Sequence, residues 1–342
     1  MQYSININIK DQTLILTSIT TFGNYIPALR LREILSEKNI SNDLLLIESL
    51  YSESALTRLE RFKKSSKENY KFIQFALRLI RNTMSTVEPT KKQITLNSWF
   101  KMGIKNFIVF SGFWLPILKE YEQMIGINVI VFHVDKGLSP SYDFFWPLDS
   151  NYVSKWLHDK ENIKFFLRRH PEVMKYENRN KEIVVHGGGW GVGNWGTLLN
   201  DLSQSNFKII IAEIESNINN GNQANVKIRP DWIGSGVIKE LIYPPMVSEG
   251  ATEEEPLFNW IKKSCGVISK PGGSTLLDCM LTATPLVVLE PVGKHEVENA
   301  DYFLNMGFGI EYSAWKRNDF SISTLKQLHK NISLYRNQLL KE

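Results

Sequence analysis

The sequence predicts an α/β protein of two parallel-sheet domains facing across a cleft, and three observations carry that expectation. At 342 residues the chain exceeds what one hydrophobic core usually serves, so two domains of roughly 150 to 180 residues are the natural division. Short apolar runs alternate with helical patterns through both halves, the order that builds βα units rather than a sandwich or a bundle. No short fixed-period repeat interrupts that order, which removes solenoids and propellers.

Taken in order, Thr13–Thr17, Leu44–Ile47, Phe107–Phe110 and Val129–Val134 read as buried strands of a first Rossmann-like domain. Helices are expected near Ile26–Lys38, Leu56–Arg81 and Trp114–Ile125. A second series runs through Ile183–Val185, Lys208–Ile211, Ile238–Ile242, Gly266–Ser269, Leu286–Leu289 and Gly309–Glu311. Between the series the polar stretch Glu172–Lys181 breaks the apolar pattern and marks the linker. The domains are therefore set at 1–178 and 179–320, with 321–342 a basic helix packing back on the first domain. The Asn-rich stretch Asn217–Asn225 reads as a loop.

Composition narrows the function. The chain is 43% hydrophobic and 22% charged, and no apolar run approaches the roughly 18 residues that cross a bilayer. The first ten residues lack a basic start and a long apolar stretch, so no signal peptide is evident and a cytoplasmic protein is expected. Two cysteines, Cys265 and Cys279, stand outside any metal-ligand spacing. A net charge of +4 is too small to imply nucleic acid. From Arg58 to Lys92, ten Lys/Arg face three Glu among interleaved Leu, Ile, Phe and Tyr. Two readings of this basic amphipathic stretch stay open: a helix packed on the core with a solvated basic face, which is favoured, or a surface for peripheral contact with anionic lipid.

The chemistry concentrates in Ser269-Lys270-Pro271-Gly272-Gly273-Ser274-Thr275, between a strand and a helical pattern beginning Leu276-Leu277-Asp278. Glycines let backbone approach a ligand closely, and the N–H groups and dipole of a new helix favour an anion such as a diphosphate. Lys270 adds a cation, and Ser274 and Thr275 add hydroxyls. A Gly-rich strand-to-helix turn can equally be plain α/β punctuation. Asp278, one turn on, has the reach to accept hydrogen bonds from ribose hydroxyls, with an exposed helix carboxylate as the alternative. The strand Leu286–Leu289 then feeds Val292-Gly293-Lys294-His295-Glu296-Val297-Glu298-Asn299-Ala300, and loops after strand ends face ligands.

The stretch from Cys265 to Gly309 resembles the donor-binding region of GT-B glycosyltransferases, particularly families 1 and 28, the latter including the MurG-type enzymes. The resemblance implies that Gly272, Gly273, Ser274 and Thr275 bind the diphosphate with Lys270, and that Asp278 binds ribose. It places His295, Glu296 and Asn299 on the donor sugar, although His295-Glu296 replaces the usual acidic-Gln pair. His186-Gly187-Gly188-Gly189-Trp190-Gly191-Val192-Gly193, with five glycines in seven residues, is similar to the Gly-rich loop facing diphosphate and acceptor, which puts Gly188, Gly189 and Trp190 at the donor. Tyr243-Pro244-Pro245-Met246 resembles the segment whose backbone reads the nucleobase. The loop Thr21–Leu29 resembles the one after the first strand, where Asn24 replaces the family's histidine.

An amide cannot take up a proton near neutral pH, so another group must serve as base, or none is needed. Asp135 and His133, ending the strand Val129–Val134, and His186 across the cleft are the candidates, with ordinary structural duty equally open for each; Asp135 is preferred. The resemblance implies transfer from a nucleoside-diphosphate sugar, UDP-linked, to a small-molecule or lipid-linked acceptor held by the first domain, by a monomer or homodimer. No cofactor is expected, and no Asp-x-Asp occurs in the chain, in keeping with metal independence. Retaining members carry an acidic residue eight positions before the Asp278 position; here that residue is Lys270, so inversion is expected. Two alternatives remain: a non-catalytic nucleotide-sugar-binding subunit, and a nucleotide-sugar hydrolase or epimerase.

Overall fold

A computed structural model describes residues 12–19, 22–68, 86–142, 151–188, 195–203, 205–213, 224–227 and 256–342. Gly189, Trp190, Tyr243, the expected strand Ile238–Ile242 and the middle of the basic 58–92 segment lie outside these residues.

Two parallel sheets make up the described chain. The first holds β1 (Thr13–Thr17), β2 (Asn42–Leu46), β3 (Asn106–Val109), β4 (Asn128–His133) and β5 (Tyr152–Trp156) in the order β2-β1-β3-β4-β5. Around it lie the helices α1 (Phe22–Glu37), α2 (Glu53–Glu68), α3 (Pro89–Met102), α4 (Leu115–Glu122) and α5 (Lys160–Leu167). Strands β1 and β3 are buried along their whole length because helices cover both faces, which is why they read as near-continuous apolar runs. Strand β5 is an edge strand of half-buried and exposed residues.

The second sheet holds β6 (Asn180–His186), β7 (Lys208–Glu213), β8 (Ala224–Lys227), β9 (Ser264–Ser269), β10 (Leu286–Val288) and β11 (Gly309–Glu311), in the order β11-β10-β9-β6-β7-β8. Its helices are α6 (Trp195–Leu202), α7 (Pro256–Lys263), α8 (Gly273–Thr282), α9 (Lys294–Asn305), α10 (Tyr312–Arg317) and α11 (Ile322–Lys341). Counted from β6, this is the 3-2-1-4-5-6 arrangement of dinucleotide-binding sheets, whose order reverses between β6 and β9. Ligands of open α/β sheets sit outside the strand ends at that reversal. Strand β8 corrects the sequence reading, since Asn225, assigned to a loop, pairs with Ile211 in the ladder.

The halves share apolar packing. One buried cluster joins Ile15, Leu44, Ile108 and Phe132 of the first sheet to Val184, Val267 and Leu286 of the second, with α1 and α8 between them. Helix α8 is buried at every position except the half-buried Ser274, as befits a helix wedged between two layers. Its C-terminal carbonyls are met by two buried arginines. Arg336 of α11 donates to Met280 O, Leu281 O and, from the first half, His170 O. Arg179 donates to Thr282 O and to Thr284 Oγ1. These cations satisfy the orphan carbonyls and the negative end of the helix dipole together.

Candidate functional site

At the reversal of the second sheet, β6 ends in His186 and β9 in Ser269, which are paired residues in the ladder. The two turns leaving these strands therefore lie side by side. Gly188 takes a left-handed φ of 67°, a conformation that glycine adopts without the Cβ penalty, and donates its N–H to His186 Nδ1 at 3.2 Å. Burial, with Lys270 adding to it, pulls the His186 pKa down to about 4, so the ring is neutral at pH 7. With Nδ1 accepting, the ring proton belongs on Nε2, a buried atom with no hydrogen-bond partner among the described residues.

Lys270 follows β9 and is 8% exposed. Burial lowers its pKa and Glu296 opposes that shift, yet no carboxylate lies within ion-pair distance among the described residues, because Glu296 instead accepts the Val292 N–H at 2.7 Å. A lysine held this deep without a partner is unfavourable unless an anion arrives to join it. Beyond it the chain turns through Gly272, whose missing side chain would point into open space, and enters α8. The backbone N–H groups of Ser274 and Thr275 have no acceptor among the described residues, as the first turn of any helix leaves them. Lys270, Gly272, Ser274, Thr275, Gly188 and His186 thus gather at one strand edge and present several N–H donors.

Other candidates are placed differently. Asp135 reaches from the loop after β4 to accept the Gly273 N–H at 2.9 Å and the Asn299 amide at 2.7 Å. The remaining polar atoms of Asn299 are engaged as well: Nδ2 also donates to Pro271 O, and Oδ1 accepts the Lys136 N–H. Asn299 is fully buried and ties two loops together. Asp278 sits one turn down α8 with its carboxylate 2.6 Å from Arg30 of α1, both side chains under a tenth exposed. Burial pushes its carboxyl pKa up and the guanidinium pulls it back down. The Arg30 guanidinium also lies over the Phe258 ring, 5.0 Å from its centroid.

His133 points to the opposite face of the first sheet. Its ring stacks on Trp156 at 4.1 Å, and Nε2 lies 3.1 Å from Ser154 Oγ; burial lowers its pKa to about 4. It is packed within the first half, away from α8. Asn24 lies half-buried in the first turns of α1, and His295 is half-buried at the start of α9. Two groups at this junction escaped the sequence reading. Arg30 had no signal beyond one charge in an apolar helix. His158 is buried near the backbone of Gly273 and Val134, with its pKa lowered to about 3 by burial and by Lys136; a lone histidine after an edge strand gives no spacing to read.

This architecture is that of the GT-B fold, two Rossmann-like halves with parallel sheets. The glycosyltransferase SsfS6 of Streptomyces sp. SF2575 superposes over 95% of this chain and 96% of its own, with a TM-score of 0.52 at 12% identity. SnogD, a glycosyltransferase from Streptomyces nogalater, does so over 97% and 95%, with a TM-score of 0.51 at 11% identity. In sequence, similarity to curated proteins is confined to 50 residues, which are 36% identical to a processive diacylglycerol beta-glucosyltransferase of Staphylococcus carnosus and 38% identical to that of Staphylococcus saprophyticus. The match spans 15% of this chain and only 13% of either relative. No protein-family model matches the chain.

Proposed function

We propose that the protein is a metal-independent, inverting glycosyltransferase that moves a sugar from a nucleoside diphosphate, UDP by preference, to an acceptor hydroxyl held by the first half. One observation carries this reading: at the sheet reversal, a buried lysine with no ion pair and a buried histidine Nε2 with no hydrogen-bond partner, both among the described residues, stand beside the uncapped N–H groups of Ser274 and Thr275. Such a set of donors suits a diphosphate. Gly272 and Gly188 leave room for it.

In the reaction the acceptor oxygen attacks the anomeric carbon from the face opposite the diphosphate. The bond to the diphosphate breaks with its electron pair on the leaving oxygen, and a carboxylate takes the proton released by the acceptor. Lys270 and the start of α8 stabilise the charge that grows on the leaving group, a role filled elsewhere by a metal ion. Asp135 is the preferred proton acceptor, since Asn24 has no basic atom. Asp278 can meet a ribose only if Arg30 gives way. The named activity of the Staphylococcus relatives, glucosyl transfer to diacylglycerol, supports a lipid acceptor; small-molecule acceptors, and a place in the cytoplasm with peripheral membrane contact, belong to the same proposal.

Calorimetric titration of UDP into the protein and into Lys270→Met tests the reading. A charged hydrogen bond contributes roughly 1.5–3 kcal/mol, so the variant should bind about ten- to a hundredfold more weakly while melting no lower than the parent, having lost an uncompensated buried charge. Equal affinity in the two proteins removes Lys270 from the site. The capped state of Asp135 favours one second reading, a nucleotide-sugar-binding subunit without turnover; UDP binding with no sugar transfer to a broad acceptor panel, with or without EDTA, would select it.

A further inference from the structure

Asp135 belongs to the first half, yet its carboxylate satisfies the start of a helix in the second. Oδ1 holds the Gly273 N–H at 2.9 Å and the Asn299 amide at 2.7 Å, and the neighbouring Lys136 N–H is held by Asn299 Oδ1 at 2.7 Å. The seating is close enough to dictate residue type. A Cβ on Gly273 would lie 2.5 Å from Val134 O and 2.8 Å from Asp135 Oδ1, and one on Gly137 would lie 2.6 Å from the Glu298 carboxylate. The loop from Val134 to Gly137 thus rests on the start of α8 and on the second turn of α9.

We propose that Asp135 is a parked base, released by the donor. The inference rests on the reading of α8's start as the diphosphate site. In that site the Asp135 carboxylate already occupies one of the three free N–H groups of the first turn, and a diphosphate taking the other two, with Lys270, brings further negative charge beside it. Two anions then compete for one helix end, and their repulsion weakens the hold on Asp135. Freed from Gly273, the carboxylate is available to the acceptor hydroxyl, taking its proton as the new glycosidic bond forms and the diphosphate leaves with the electron pair. Before the donor binds, two hydrogen bonds, both on Oδ1, pin the carboxylate at the start of α8 and hold the base out of position. Asp135 is in this account both an occupant of the donor site and a catalytic residue, and the order of binding is donor first.

The test compares the full-length protein with Asp135→Asn by titration with inorganic pyrophosphate and with UDP, with sugar transfer measured in parallel. The amide oxygen of the variant can still accept the Gly273 N–H, so the contact is kept while its charge is removed. Removing one like charge a few ångströms from the ligand should tighten pyrophosphate binding on the order of tenfold, while transfer falls about a hundredfold or more. Affinity that is unchanged or weaker in the variant, with the same melting temperature, overturns the proposal. If Asp135→Asn does not fold, Asp135→Ser removes the same charge with a shorter side chain, and pyrophosphate affinity no tighter than the parent's overturns the proposal equally. Absence of pyrophosphate and UDP binding in both proteins would instead remove the diphosphate reading itself, and with it the competition.

Discussion

Replacing Arg30 by methionine tests whether Asp278 is a buried partner of the first half or a ligand for ribose. The pair stands at 2.6 Å with side chains 7% and 8% exposed, so little solvent screening applies. Unit charges roughly 4 Å apart interact by about 4 kcal/mol at an effective dielectric constant of about 20, and stripping one partner from a buried pair typically costs about 3–5 kcal/mol. A ceiling follows from protonation. Asp278 can escape its uncompensated charge by binding a proton, which from an ordinary pKa near 3.9 costs about 4 kcal/mol at pH 7 and about 1.5 kcal/mol at pH 5. Arg30→Met should therefore lose about 3–4 kcal/mol at pH 7 and under about 2 kcal/mol at pH 5. The sign is that of a carboxyl raised in the folded state, whose protonated form is stable below its unfolded pKa and loses ground as pH rises. Urea unfolding followed by tryptophan fluorescence at the two pH values reads both numbers, provided the denaturant slope stays constant. Adding Asp278→Leu should recover most of the loss, since no lone charge is left inside. A cost below about 1 kcal/mol at pH 7, the value of a solvated pair, would refute the burial argument and return Asp278 to the ribose.

Two further outcomes are expected. His133, His158 and His186 are buried with pKa values lowered to about 4, 3 and 4; the unfolded chain binds protons that the folded one refuses, so stability falls as pH drops from about 6.5 toward 5, by up to about 1.4 kcal/mol per pH unit for each ring, and a flat profile of urea midpoints over that range would contradict their burial. Gly273→Ala should destabilise by about 1–3 kcal/mol through overpacking against Val134 O, at 2.5 Å from the new Cβ, whereas a neutral melting curve would show that the loop does not rest on α8.

Strand-helix alternation was legible because most strands are covered on both faces. Thr13–Thr17, buried throughout, emerges with the bounds read from its apolar run, and Gly309–Glu311 keeps its bounds although it is a short, partly exposed edge strand. Strand β5, an edge strand with exposed Val153 and half-buried Lys155, lacks that run and escaped notice, as did β8, whose Ala-Asn-Val-Lys sequence has no apolar pattern. The Gly-rich turn was legible as a turn, since residue type governs backbone freedom locally. What one sequence cannot display is who meets whom across the two halves. Asp135, Asn299 and Asp278 were each recognisable as polar groups near strand or helix ends, but their partners Gly273, Lys136 and Arg30 come from the opposite half, and only the folded arrangement determines whether a carboxylate faces solvent, a ligand or another helix.

Helix α8 has a bearing on how proteins of this architecture can be recombined. It carries a first-half anion at its start, a first-half cation along its side and an α11 cation at its end. Grafting the second half of a relative onto this first half would strand Arg30 and Asp135 against foreign side chains, so chimeras must exchange α1, the loop after β4 and α8 as one inheritance unit. The seam for such swaps runs around that trio and not through the linker that composition suggests.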